Sequence, residues 1–118
     1  MKKILLVEDT FSKAEMVLEE CAALGLQVTH VGTLYEAIKA LRAPDHGFCA
    51  VVTDWVFPAR LDSQWPEDNM GQRVFWEAEE QELPVVVFSS REKIPEGVSP
   101  WIKGDRPELL TEWLKKIA

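Results

Sequence analysis

The stretch Phe48-Cys49-Ala50-Val51-Val52-Thr53-Asp54 decides the fold. An apolar run of this length, closed by a carboxylate and followed by Pro58, reads as a strand buried on both faces, the kind found in parallel sheets covered by helices. A second run, Ile4-Leu5-Leu6-Val7, ends in the pair Glu8-Asp9. Acids at the ends of such strands lie at the carboxyl edge of the sheet, where open α/β sheets place their ligands. Three carboxylates from two strand ends make a site for a hard divalent cation.

Working outward, helical and extended patterns alternate. Strand 1 covers 3–7. A helix over about 12–24 carries Ala14, Val17, Leu18, Cys21, Ala22 and Leu24 on one face; Ser12 and Glu15 have capping-box spacing and Gly25 closes it. Strand 2 is 27–31. Thr33 and Glu36 form a second capping box before a helix with the stripe Leu34, Ala37, Ile38 and Leu41. A turn at Pro44-Asp45-His46-Gly47 leads into strand 3 at 48–53. A polar loop runs from Pro58 to Asn69 and holds an exposed-looking Trp65. A third helix follows at about 70–81, with Val74, Phe75 and Ala78 inward. Strand 4 is Val85-Val86-Val87-Phe88 and strand 5 a brief segment around Trp101-Ile102. The last helix starts at Asp105 or Arg106, with Pro107 near its first position and the stripe Leu109, Leu110, Trp113, Leu114 and Ile117. Strands alternating with helices define an α/β class with a parallel sheet, and right-handed crossovers put helices on both faces.

The 118 residues suit one domain able to bury a core without disulfides or metal staples. A formal charge of -7 argues against direct nucleic-acid binding and against anionic membranes as partners. No run approaches the roughly 18 apolar residues a membrane span needs. Cys21 and Cys49 read as buried, reduced thiols, and with no signal-like segment beyond Val7 the expected location is cytoplasmic.

The full set in order resembles the receiver domain of two-component response regulators (CheY-like): strand–Glu8-Asp9–helix, strand–Asp54-Trp55-Val56-Phe57-Pro58, strand–Ser89-Ser90, and Ile102-Lys103. About 45 residues separate the acid pair from Asp54, and the resemblance runs from residue 3 to 117. It implies a doubly wound five-stranded flavodoxin-like sheet of order 2-1-3-4-5. It implies Asp54 as phosphoryl acceptor. It also implies Mg²⁺ bound by Glu8, Asp9, Asp54 and the backbone carbonyl of Val56. Ser89 would hydrogen-bond the phosphoryl group and Lys103 would pair with its oxygens. The physics is consistent: an anionic acceptor and an anionic donor repel, and a dication with an ammonium offsets that repulsion. The implied partners are a histidine kinase or histidine phosphotransfer protein and a downstream protein reached by direct contact.

Departures from the family pattern are specific. Only twelve residues, with Pro95, Gly97 and Pro100 among them, separate Ser90 from Lys103. They cannot hold a useful helix, so the family's fourth helix should be missing or reduced to a turn. The family's switch aromatic lies three residues before the lysine, where Pro100 stands; Trp101 is adjacent but should point the other way. Gly104 replaces the usual proline after the lysine, and the loop after Pro58 is longer, with Asp62, Glu67 and Asp68 read as solvated charge. Trp55 should lie at the rim of the site.

Two rival readings belong to other classes. One is a pseudo-receiver that binds proteins without taking phosphate, favoured by the truncated switch region. The other is a small aspartyl phosphatase, disfavoured because Val56 stands where such enzymes keep a second acid. Val56 also cannot orient a hydrolytic water, so self-dephosphorylation should be slow. His30 and His46 lack metal-ligand spacing, and there is no P-loop, dinucleotide fingerprint or nucleophile elbow.

Overall fold

In the computed structural model, which describes every residue except Gln64, Trp65, Pro66 and Asp68, the apolar runs become strands and order themselves into one sheet. The strands are β1 (Lys3–Val7), β2 (Gln27–Val31), β3 (Phe48–Thr53), β4 (Val85–Ser89) and β5 (Trp101–Lys103). Their order is β2-β1-β3-β4-β5, all parallel. The helices are α1 (Phe11–Ala23), α2 (Leu34–Arg42), α3 (Met70–Glu80) and α4 (Pro107–Ile117). The expected Trp65 exposure and Asp68 charge lie outside the described residues.

Strand alternation sorts the core into two layers. Leu5, Val7, Val51, Val85 and Val87 face α2 and α3, meeting Leu34, Ala37, Leu41, Val74, Phe75 and Ala78. Ile4, Leu6, Val52, Val86 and Phe88 face α1 and α4, meeting Ala14, Val17, Cys21, Leu110 and Leu114. One irregularity breaks the alternation. The register of β1 on β3 steps from Lys3–Phe48 to Ile4–Ala50, so Cys49 is a bulge residue. Phe48 therefore joins the α2/α3 layer while Ala50 joins the α1/α4 layer. Cys49 is only partly buried for the same reason, where the sequence suggested full burial.

Helix ends follow local chemistry. Thr33 caps α2 as expected, its Oγ1 accepting from the Glu36 N–H at 3.1 Å and donating to the Glu36 carboxylate. Gly25, at φ +73°, closes α1 with paired bonds from Gly25 N–H to the Ala22 carbonyl and Leu26 N–H to the Cys21 carbonyl. The Ser12–Glu15 capping box does not form. Helix α1 starts one residue earlier, at Phe11, and the Glu8 carboxylate accepts from the Thr10 N–H at 3.1 Å instead. In α4 only Leu110 and Leu114 of the expected stripe are buried; Trp113 and Ile117 are partly covered and Leu109 is exposed.

No helix connects β4 to β5. The segment 90–100 runs irregularly from one strand to the next, and Val98, Ile94 and Trp101 pack into the α2/α3 layer where a helix would otherwise cover β4. No helix of the described chain is long and apolar enough to cross a membrane.

Candidate functional site

Adjacent parallel strands bring the acids together. Val7 of β1 pairs in register with Thr53 of β3, so the residues that follow leave the sheet side by side. The Asp54 N–H donates to the Val7 carbonyl at 2.9 Å, and the Glu8 N–H donates to the Val31 carbonyl at 3.0 Å. One carboxylate oxygen from each of Glu8, Asp9 and Asp54 lies within 4.8 Å of the others. Glu8 and Asp54 are buried, at 3% and 7% exposure, and Asp9 is exposed.

Asp54 and Glu8 are held in place. The Trp55 N–H donates to Asp54 Oδ1 at 2.7 Å, and the Thr53 hydroxyl donates to the Asp54 carbonyl at 2.8 Å. His30 Nε2 donates to the Glu8 carbonyl at 2.7 Å, a support its sequence context did not reveal. Lys13, on the first turn of α1, places Nζ 3.7 Å from Asp54 Oδ2. Trp55 is 1% exposed and belongs to the core rather than the rim, because its side chain follows the α2/α3 layer.

Gly71, the second residue of α3, packs directly against this turn. Its N–H donates to the Trp55 carbonyl at 3.0 Å, and a Cβ there would stand 2.2 Å from the Asp54 carbonyl oxygen. A glycine inside a helix marks a close backbone approach, and that was the available sequence signal.

Ser89 and Lys103 reach the same edge, paired in register at the ends of β4 and β5. The Ser89 hydroxyl accepts from the Arg91 N–H at 3.3 Å. Lys103 is exposed and makes no ion pair among the described residues; the ammonium that meets Asp54 belongs to Lys13. Trp101 Nε1 donates to the Ser89 carbonyl at 3.3 Å, which ties β5 to β4 beside the open segment.

Among the described residues, three carboxylates face one ammonium, that of Lys13. Burial, then the facing Asp54 carboxylate, pushes the Glu8 carboxyl up to about 8, with the Thr10 N–H and Lys13 pulling the other way. Asp9 is raised by the same two causes, burial first. The donor set suits a hard cation: three carboxylates and, beside them, the Val56 carbonyl, which accepts no hydrogen bond among the described residues while the Trp55 and Phe57 carbonyls on either side do. Glu8, Asp9, Asp54 and Val56 would hold such an ion.

A pH dependence follows for the metal-free chain. Glu8 is raised from its ordinary 4.5 to about 8, so its folded form prefers the proton. The stability it contributes is fully present below pH 4.5 and is lost as pH rises through about 8. The loss is on the order of a few kcal/mol, at about 1.4 kcal/mol per pKa unit. Glu77, lowered by its bond to Arg42, acts only below this window. Urea melts in EDTA between pH 5 and 8 should decline for wild type and flatten for Glu8→Gln. Parallel profiles for the two would contradict the assignment.

No protein-family profile matches the chain, and no curated protein matches it in sequence. Solved structures do match in shape. The fold and site define a doubly wound α/β protein with an acidic cluster at the carboxyl edge, and many of its structural neighbours are response regulators or receiver domains. The phosphorylated cyanobacterial phytochrome response regulator RcpA superposes with a TM-score of 0.69 at 24% identity, over 98% of this chain and 90% of that one. Vibrio cholerae chemotaxis protein CheY4 gives 0.70 at 22% identity, over 100% and 99%. The receiver domain of a Pseudomonas aeruginosa sensor histidine kinase, with magnesium coordinated in its active-site cleft, gives 0.67 at 18% identity, over 96% and 97%. The chain has the CheY-like receiver fold, without a helix between β4 and β5.

Proposed function

We propose that this chain is a single receiver module that accepts a phosphoryl group on Asp54, with Mg²⁺ held by Glu8, Asp9, Asp54 and the Val56 carbonyl. The observation that carries the reading is the convergence of three carboxylates within 4.8 Å at the edge of this particular fold. Mg²⁺, when bound, supplies positive charge between the acceptor and an anionic donor. Asp54 contributes the nucleophile. Its oxygen forms the new O–P bond as the donor's P–N bond breaks, and the electron pair leaves on the imidazole nitrogen, which takes a proton from water. The Trp55 N–H fixes the carboxylate's rotation at Oδ1.

Ser89 and Lys103 would turn to the phosphoryl oxygens once these carry the charge. The Ser89 hydroxyl would donate to a phosphoryl oxygen, and its turning would shift the bond it accepts from the Arg91 N–H at the start of the segment 90–100, which offers a route to a changed surface. The donor would be a histidine kinase or histidine phosphotransfer protein in the cytoplasm, and output would pass by protein contact rather than through nucleic acid. Val56 gives no side chain to orient water, so the acyl phosphate should persist well beyond seconds.

The test is direct. Incubated with acetyl phosphate and Mg²⁺, the protein should gain one phosphoryl group by intact mass, and none in EDTA. No gain with millimolar Mg²⁺ would contradict the reading. One observation favours a second reading, a pseudo-receiver that binds partners without phosphate: the connection between β4 and β5 holds no helix. That reading predicts no gain under either condition.

A further inference from the structure

The cation closest to the acceptor is one the sequence did not single out. Lys13 Nζ stands 3.7 Å from Asp54 Oδ2, and its side chain is 33% exposed. Its charge also bears on Glu8 and Asp9, opposing the stronger upward push of burial on both. The location is unusual on electrostatic grounds. Lys13 lies in the first turn of α1, where the helix dipole disfavours positive charge, and that turn has no acidic residue to offset it. The three carboxylates supply the compensation. Asp54 Oδ1 is already engaged by the Trp55 N–H, so Oδ2, the oxygen Lys13 faces, is the one left for chemistry.

We propose that Lys13 is a tethered cation of the acceptor site: it neutralises Asp54 before phosphorylation, in competition with Mg²⁺, and moves to the phosphoryl oxygens afterwards. This rests on the phosphoacceptor reading above. In the resting site Lys13 and Mg²⁺ share one carboxylate, so removing the ammonium deepens the negative potential and tightens Mg²⁺. When the O–P bond forms at Asp54, the carboxylate charge passes to the phosphoryl oxygens. A flexible lysine stem lets the ammonium follow that charge by bond rotation alone. Loss of the ammonium then slows transfer even when Mg²⁺ saturates. The two effects have opposite signs, a signature that a merely structural surface lysine would not produce.

The experiment compares wild type, Lys13→Ala, Lys13→Arg and Lys103→Ala. Mg²⁺ midpoints are read from intrinsic tryptophan fluorescence without donor, and initial phosphorylation rates are read with acetyl phosphate at saturating Mg²⁺. Lys13→Ala should bind Mg²⁺ roughly fivefold more tightly and accept phosphate about tenfold more slowly, in line with one partly solvated charge near 4 Å. Lys13→Arg, which keeps the charge and shows that the helix tolerates change, should stay near wild type in both. A Lys13→Ala protein with either property unchanged overturns the proposal, most plainly if Lys103→Ala alone slows transfer. If wild type itself takes no phosphate, the functional reading fails with it; a phosphorylated wild type with an indifferent Lys13→Ala sinks this inference alone.

Discussion

Asp54→Asn is expected to abolish phosphoryl acceptance while stabilising the metal-free fold. The first effect is chemical. An amide has no anionic oxygen to attack phosphorus, and loss of a nucleophile lowers transfer by at least about a thousandfold. The second effect is a balance of charges. Asn keeps an oxygen for the Trp55 N–H, so the 2.7 Å bond at Oδ1 survives. The ion pair to Lys13 is lost, but that lysine is a third exposed, and such pairs contribute about 0–1 kcal/mol. What is gained is relief of Glu8, which is buried beside Asp54 and pushed up to about 8 partly by it. Relief should win, raising stability by about 1–2 kcal/mol at pH 8 in EDTA. Intact-mass phosphorylation and urea melts read the two effects. Equal phosphate on Asp54→Asn, or a clear destabilisation at pH 8, would contradict the account.

Gly71→Ala should be the most damaging small substitution near the site. The added Cβ would lie 2.2 Å from the Asp54 carbonyl oxygen, 2.6 Å from Trp55 Cα and 3.0 Å from the Asp54 carbonyl carbon. All three are backbone atoms of a turn fixed by the Thr53 hydroxyl and the Gly71 N–H, so none can swing aside like a side chain. Alanine would favour the helix by about 1 kcal/mol through propensity alone. Overpacking against backbone should outweigh that, for a net loss of about 2–3 kcal/mol. Either α3 lifts off the sheet or the Asp54–Trp55 turn shifts, so acceptance should fall as well. Urea midpoints and phosphorylation rates check both. A stabilised, fully active Gly71→Ala would mean that α3 does not approach the acceptor turn this closely.

The pattern of what could be read in advance has a physical basis. The runs ending at Val7 and Thr53 are legible because a strand buried on both faces has no polar alternation to confuse it. Pro95, Gly97 and Pro100 made the absent helix legible, since two prolines and a glycine in so short a segment leave no helical turn intact. The Thr33–Glu36 cap formed because Thr33 stands, with extended backbone, directly before the first residue of α2. The Ser12–Glu15 cap did not, because the helix already runs from Phe11 with Thr10 at its cap, which puts Ser12 inside the first turn. The Cys49 bulge leaves no composition signature; it arises from how β1 and β3 meet. Glu8, Asp9 and Asp54 were legible as strand-end acids. Lys13 was not: only the angle at which α1 leaves Asp9 decides whether a lysine four residues on meets Asp54. Ser89 and Lys103 reach the expected edge, but the hydroxyl and the ammonium are turned to the loop and to solvent.

Calorimetric titration of the phosphate-free protein with Mg²⁺ at pH 7, repeated in two buffers of different ionisation enthalpy, tests the electrostatic premise most directly. Burial raises the Glu8 carboxyl to about 8, so ligating a dication at that pH should drive a proton off it. The account predicts saturable binding at one site with release of a substantial fraction of a proton, both lost in Asp54→Asn. Heats that fail to saturate at millimolar Mg²⁺, or a stoichiometric site that releases no proton and ignores Asp54→Asn, would contradict it.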